Sequence, residues 1–299
     1  MSETFRIPPI LAKADWYSKW GASGDIRPYV YVRPDNKIPN PGSRHHLDWF
    51  PMPPISKNPL DTHELEFAEQ IYDIEGRAFG PSNMAMPRWV FYDCAIIPGF
   101  VAGFAMRTSK LPANLKAVMR TDPKMEWTPL SLFIIIPTMA KGQWVAHNLC
   151  AVNSLLQEKD RFYGLGFLSK AFGLWYANVE SCLGITQWGS PALKLHSHYG
   201  PMEIVTAYTP VHSHAKTITY GVKVDTLCWE KFFTREEDLA FLEKYGPSAF
   251  RLDPKSEESM IELNERLQRG EGPYFLSAAE IASQKLTDAL TIYQPKSAF

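Results

Sequence analysis

The chain has 299 residues, 45% of them hydrophobic and 21% charged, with 31 Lys and Arg against 32 Asp and Glu. That is the make-up of a globular protein able to bury a sizeable core, as one large domain or a smaller one with additions at its ends. A formal net charge of −1 gives no electrostatic reason to expect nucleic acid or an anionic membrane as the main partner.

The first stretch, "MSETFRIPPI", carries an acid and a proline where an export signal would place a basic end and an apolar run, so a cytoplasmic location is expected. Residues 1–61 are dense in proline and aromatics, as in "IRPYVYVRPDNKIPNP" and "DWFPMPPISKNPL". Such prolines rule out a long helix and allow only short or edge strands. The reading is an extended arm packed on the domain, since disordered segments are poor in aromatics.

Regular structure is expected from "DTHELEFAEQIYDIEGRAFG", where Leu65, Ala68, Ile71, Tyr72 and Ile74 follow helical spacing and Thr62 offers an N-cap. Four runs follow that read as strands of one sheet: "RWVFYDCAII", "GFVAGFAMRTS", "LSLFIIIP" and "QWVAHNLCAV". "PG" at 98–99 and "KG" at 141–142 are the expected hairpin turns. The most apolar of these runs ends at Pro137 and is too short to cross a bilayer. Cys94, Cys150, Cys182 and Cys228 lie far apart with no CxxC, and read as buried reduced thiols.

Beyond residue 161 the pattern changes. Leu168, Phe172, Trp175 and Val179 recur at the period of a helix with one buried face. "CLGITQW" reads as a strand, and "SPALKLHSHYG" as a short helix capped by Ser190 with Pro191 in its first position. "EIVTAYTPV" and "KTITYGVKVD" alternate like two further strands. From Thr226 the pattern is helical, in "TREEDLAFLEKYG", "SEESMIELNERLQRG" and "SAAEIASQKLTDALTIY", with Thr234, Ser256 and Ser277 as N-caps. Strands followed by a strand–helix–strand unit indicate an α+β domain on a mixed, mostly antiparallel sheet. The expected division is an arm over 1–61, a central domain over 62–225 and a helical extension over 226–299.

The segment "RFYGLGFLSKAFGLWYANV" at 161–179 sets two glycines at the mouth of that helix. Unpaired N–H groups and the positive end of the helix dipole make such a place suited to phosphate, and glycine lets the anion approach the backbone. The P-loop pattern GxxxxGK[ST] is absent. The dinucleotide pattern GxGxxG fails as well, because Ser169 stands where its third glycine belongs. A tight strand-to-helix turn without a ligand is the plain alternative.

Arg161-Phe-Tyr-Gly164-Leu-Gly166 does resemble (Q/R)xxGx(G/A), the coenzyme A pyrophosphate loop of the GCN5-related N-acetyltransferase superfamily. The order of the surrounding elements is similar to that family's from its first helix to its last strands, over roughly 62–225. "ALKLHSHYG" is similar to the family's A-x-x-L-Y-x-x-x-G, with Ala192, Leu195, His196 and Gly200 at the matching positions. Two departures stand out. "SLLQ" lengthens the link between the fourth strand and the loop, and His196 replaces the tyrosine that often protonates the leaving thiolate.

The resemblance implies direct transfer of an acyl group, acetyl in the first place, from a coenzyme A thioester to a primary amine. It leaves open an acyl carrier protein as donor, and the acceptor as small molecule or peptide; a homodimer is among the open assemblies. Arg161, Phe162, Tyr163, Gly164, Leu165 and Gly166 would hold the pyrophosphate. A bulge in the family's fourth strand turns a backbone amide to the thioester oxygen, which places that amide within Asn148 to Val152, with Cys150 and Val152 lining the pantetheine arm. His147 is the candidate general base and Glu203 its competitor, while His196, or Tyr199 in its stead, is the candidate acid. Gln187 and Trp188 are candidates for the acceptor pocket. For each of these residues an ordinary role in packing or at the surface stands beside the functional one.

A rival reading starts from "HSH" at 196–198 and again at 212–214. HxH on a strand puts two imidazoles on one face, and "HSHYGPME" resembles the first half of the cupin metal motif. In a helix, however, residues two apart point about 200° apart and cannot share a metal. A third reading is an interaction protein with a transferase-like fold and no chemistry.

Overall fold

The computed structural model describes residues 14–36, 38, 53–224, 235–283 and 288–296. Its internal contacts divide the chain into two units, Met1–Val179 and Glu180–Phe299.

In the first unit the sheet is built from β1 (Ile26–Tyr31), β2 (Ile55–Lys57), β3 (Phe100–Arg107), β4 (Trp127–Pro129), β5 (Ser131–Pro137) and β6 (Gln143–Ala151), in the order β2-β1-β3-β5-β6. Only β1 and β2 run parallel. Strand β3 is shared: Phe100–Ala102 pair with β5 and Ala105–Arg107 with β4. One face is covered by α1 (Leu65–Phe79), which buries Phe67, Ile71 and Ile74. The other is covered by α3 (Leu165–Tyr176). Helix α3 lies so close that a Cβ on Gly173 would come within 2.5 Å of the Phe133 ring. Helix α2 (Ala113–Met119) links β3 to β4.

Two expectations about this unit change. The proline-rich start contributes a sheet strand, β1, rather than only an extended arm. Pro28 is tolerated because it pairs with Phe104 on β3 alone, β2 joining only from Tyr29 onward. The run "RWVFYDCAII" is helical, Arg88–Val90 passing into a π-turn over Phe91–Ile96. It buries Phe91, Ala95 and Ile96, a spacing that a strand's two-residue alternation does not give. "PG" at 98–99 therefore joins a helix to β3 instead of closing a hairpin. The β5–β6 hairpin turns where expected, at Gly142, whose φ is 74°.

The second unit has a sheet of β7 (Ser181–Gln187), β8 (Met202–Thr206), β9 (Thr217–Lys223), β10 (Tyr245–Leu252), β11 (Tyr274–Leu276) and β12 (Leu290–Pro295). Their order is β7-β9-β8-β11-β12-β10, antiparallel throughout. Its helices are α4 (Pro191–His196), α5 (Arg235–Lys244), α6 (Glu257–Gln268) and α7 (Ala278–Ser283). Ser190 caps α4 and Ser256 caps α6 with their side chains. The C-terminal stretch thus holds its expected helices, but three strands interleave with them. "SAAEIASQKLTDALTIY" is helix only to Ser283; Leu290 and Ile292 are buried on alternate positions of β12, which is strand periodicity. Thr226, Cys228 and Thr234 lie outside the described residues. Of the other cysteines, Cys182 is buried, while Cys94 and Cys150 are half-buried and free. Together the elements form an α+β fold with a mostly antiparallel sheet flanked by helices.

Candidate functional site

Strand β6 leaves the sheet into two short 3-10 turns, Val152–Leu155 and Glu158–Asp160, and Arg161–Gly164 then leads into α3. Gly164 caps that helix with φ 74°, where an L side chain would cost about 1–2 kcal/mol. Phe162 anchors the loop: it is 2% exposed, and its ring lies 6.3 Å from that of Trp16 and 6.1 Å from that of Trp20. Asn153 holds the same residue by its backbone, and Trp16 Nε1 donates to Tyr163 O at 2.9 Å.

These bonds leave a row of donors. Leu165 N donates to Phe162 O at 3.2 Å, but the amides of Tyr163, Gly164 and Gly166 find no acceptor among the described residues. Clustered free N–H groups at a helix start fit an anionic ligand. Beside them is a cavity of ≈ 410 Å³, to which Trp16, Lys19, Trp20, Lys159, Arg161 and Tyr163 contribute. Asp15 and Asp160 also line it, so its charge is mixed. Arg161 is exposed, its Nε 3.4 Å from Leu156 O.

Along β6 the register with β5 shifts. Phe133 pairs with Leu149 but Ile135 with Ala146, so His147 and Asn148 together stand opposite Ile134. This is a β-bulge, and it re-aims the side chains around it. Asn148 Nδ2 reaches Glu75 Oε1 on α1 at 2.8 Å, and Asn148 Oδ1 lies 3.1 Å from His147 Nδ1. Glu75 is 0% exposed and takes the Met86 N–H on both oxygens, at 3.1 Å each. Burial pushes its carboxyl up, against the pull of the Met86 and Asn148 bonds. His147 is exposed. Desolvation lowers its pKa and the Asn148 bond opposes this. Burial, with Glu75 adding, pushes the Cys150 thiol well up, which keeps it protonated and poorly nucleophilic.

Val152 N donates to Leu130 O on the β5 side at 2.8 Å. Because amides alternate in direction along an antiparallel strand, Cys150 N–H also faces β5, and the amides of Leu149 and Ala151 point away from it.

The other sequence-derived candidates belong to the second unit. His196 is 6% exposed and stacks on Tyr220 at 5.2 Å. The Tyr220 hydroxyl fills the place of a side chain at Gly184, where a Cβ would come within 2.3 Å. Tyr199 is fully buried, and Glu203 is exposed on β8 opposite Phe275. Gln187 ends β7, and the buried Trp188 donates its Nε1–H to Ala207 O at 2.7 Å. His196 closes α4 and His198 sits in the 3-10 turn after it; burial lowers the His198 pKa to about 4. His212 and His214 lie in a bend, not a strand, where His212 Nδ1 accepts the His214 N–H at 3.0 Å. Among the described residues no three His, Cys, Asp or Glu side chains converge as a metal site.

Sequence reasoning missed Asn153 and Glu75. "CAVNSLLQ" gives no sign that its asparagine will bind a residue beyond two turns. Glu75 had a weak signal: an acid on the apolar side of a helix, next to Ile71 and Ile74.

A scan of protein-family models finds no match to this sequence, and a search of curated proteins finds none either. Solved structures similar in fold are acetyltransferases. The ribosomal-protein-S18-alanine N-acetyltransferase from Escherichia coli is 13% identical, with a TM-score of 0.37 over 56% of this chain and 91% of its own. Aminoglycoside 6'-acetyltransferase type Ii is 9% identical, at 0.38 over 55% and 94%. A chain of the NatC complex bound to Gag peptide and CoA is 11% identical, at 0.36 over 56% and 97%. At these identities and TM-scores the likeness carries no argument about chemistry. No helix among the described residues is long and apolar enough to cross a membrane.

Proposed function

We propose that this protein is an acyl-coenzyme A-dependent N-acyltransferase acting on a primary amine. The observation that carries the reading is the conjunction, in one unit, of the His147–Asn148 bulge in β6 with the donor-lined loop at Tyr163–Gly166. The residues present fit the ligand. The amides of Tyr163, Gly164 and Gly166 would hold its pyrophosphate, and Lys19, Lys159 and Arg161 give the adjoining cavity its cations.

An acyl-coenzyme A bound there supplies an activated acyl carbon and a thiolate leaving group. The amide of Leu149 or Ala151, on the side of β6 away from β5, would be the donor to an oxygen that gains charge. His147, exposed beside them, takes the proton that the acceptor ammonium must give up. Glu203, on the second unit's sheet, is the competing base. The thiolate acid expected from the sequence, His196 or Tyr199, and the acceptor residues Gln187 and Trp188 are proposed roles, and turnover of His196→Ala tests the first: an unchanged rate removes His196 from the mechanism. Acetyl is the simplest donor group, and cytoplasmic action on a small or peptide amine completes the proposal.

The test is calorimetric titration of the purified chain with acetyl-coenzyme A. Micromolar binding that falls tenfold or more in Gly164→Val, a change of about 1.4 kcal/mol, supports the loop assignment. Equal affinity in a folded Gly164→Val overturns it.

A further inference from the structure

We infer that Glu75 and Asn148 are positioning residues that hold His147 with its proton on Nδ1, leaving the Nε2 lone pair open as the base. The inference deepens the transferase reading and rests on it for its purpose, but the tautomer itself is a property of the free chain.

With Glu75 ionised, the chain of bonds has one consistent direction. Every hydrogen-bond partner of Glu75 among the described residues is a donor: the Met86 N–H to both oxygens and the Asn148 amide. An ionised carboxylate only accepts, so it must face the NH2 end of Asn148. That fixes the amide, and its carbonyl Oδ1 then points to His147 Nδ1 at 3.1 Å. A carbonyl also only accepts, so the proton must be on Nδ1. Histidine tautomers are set in this way by the partner of the other ring nitrogen. Nε2 has no partner among the described residues.

The bulge makes the relay sterically feasible. On a regular strand the side chains of consecutive residues point to opposite faces, and His147 would not reach Asn148. Standing together opposite Ile134, the two come within hydrogen-bond distance of each other, and Asn148 reaches the helix that carries Glu75. A buried carboxylate is costly unless satisfied. Glu75 is satisfied by three short contacts, yet one of them is spent on a side chain whose other end serves an exposed histidine.

The experiment is 15N–1H correlation of the imidazole nitrogens in the full chain without substrate, at about pH 8, above the ordinary histidine range. The His147 signals are assigned by their loss in His147→Gln. Wild type should show the Nδ1–H form in excess. In Glu75→Gln the new amide keeps its oxygen on Met86 and turns its NH2 to Asn148, which must flip. The excess should then pass to Nε2–H. Asn148→Ala, which removes the link, should do the same should Glu75→Gln fail to fold. An Nε2–H excess in wild type overturns the inference, as does an Nδ1–H excess that survives Asn148→Ala. Calorimetry with acetyl-coenzyme A on the same samples is a separate result, so loss of the ligand reading and loss of the relay are distinguishable.

Discussion

Asn153 pairs with Phe162 as one strand residue pairs with another: its side-chain amide donates to Phe162 O at 2.7 Å and accepts from Phe162 N at 2.8 Å. A side chain thereby replaces the sheet partner that the loop lacks after β6 ends. Removing it in Asn153→Ala strands two backbone groups beside a buried ring, at a cost of about 1–3 kcal/mol. Chemical denaturation should show that loss, and calorimetry a weaker grip on acetyl-coenzyme A. Asn153→Asp keeps the acceptor for Phe162 N and should fall between wild type and alanine. An alanine variant as stable as wild type would remove the clamp from the account.

The two loop glycines should respond differently. Gly164 has φ 74°, so any side chain there is strained and both stability and affinity should drop. Gly166 lies in the first turn of α3 without a positive φ, and Gly166→Ala should gain about 0.5–1 kcal/mol of helix stability. Its affinity for acetyl-coenzyme A should nevertheless fall, since the new methyl stands beside a donor amide. Thermal melting with and without the ligand separates the two effects. Undiminished affinity in Gly166→Ala would place the anion elsewhere.

His198 sets a pH dependence in the second unit. Its pKa falls from the ordinary 6.5 to about 4 in the fold, through burial. Between those values the unfolded chain binds the proton and the folded chain does not, so stability rises with pH across this window. The contribution is fully present above about 6.5 and is lost as the pH falls toward 4. Urea midpoints measured from about pH 7 to 4 should decline more steeply for wild type than for His198→Asn. Parallel slopes would show that this ring does not drive the effect.

Much of the first unit was legible in sequence because its signals are local. The β5–β6 hairpin announces itself by "LSLFIIIP", a Lys-Gly turn and a second apolar run, and α3 by its period. The bulge was legible only through the resemblance, since register is a relation between strands and His147–Asn148 shows nothing unusual alone. "RWVFYDCAII" misled because β-branched and aromatic residues favour strands in general, while Phe91, Ala95 and Ile96 bury one helical face. In the tail, Leu290 and Ile292 were hidden at the end of a convincing helical pattern, and the pairing of β12 with β10 and β11 decided their state. Glu75 and Asn153 escaped because their partners lie outside their own local elements, Asn148 on another strand and Phe162 beyond two turns.

The bond from Trp16 Nε1 to Tyr163 O, with the Trp16 and Trp20 rings on Phe162, ties the earliest described turn of the chain to the loop. The two therefore melt or hold together. Any ligand that grips the loop lends residues 14–21 a share of its binding free energy, growing with the logarithm of its concentration above Kd. A protease cut in that turn and an empty loop become two views of one equilibrium, so digestion of the amino-terminal turn reports occupancy from a place the ligand need not touch.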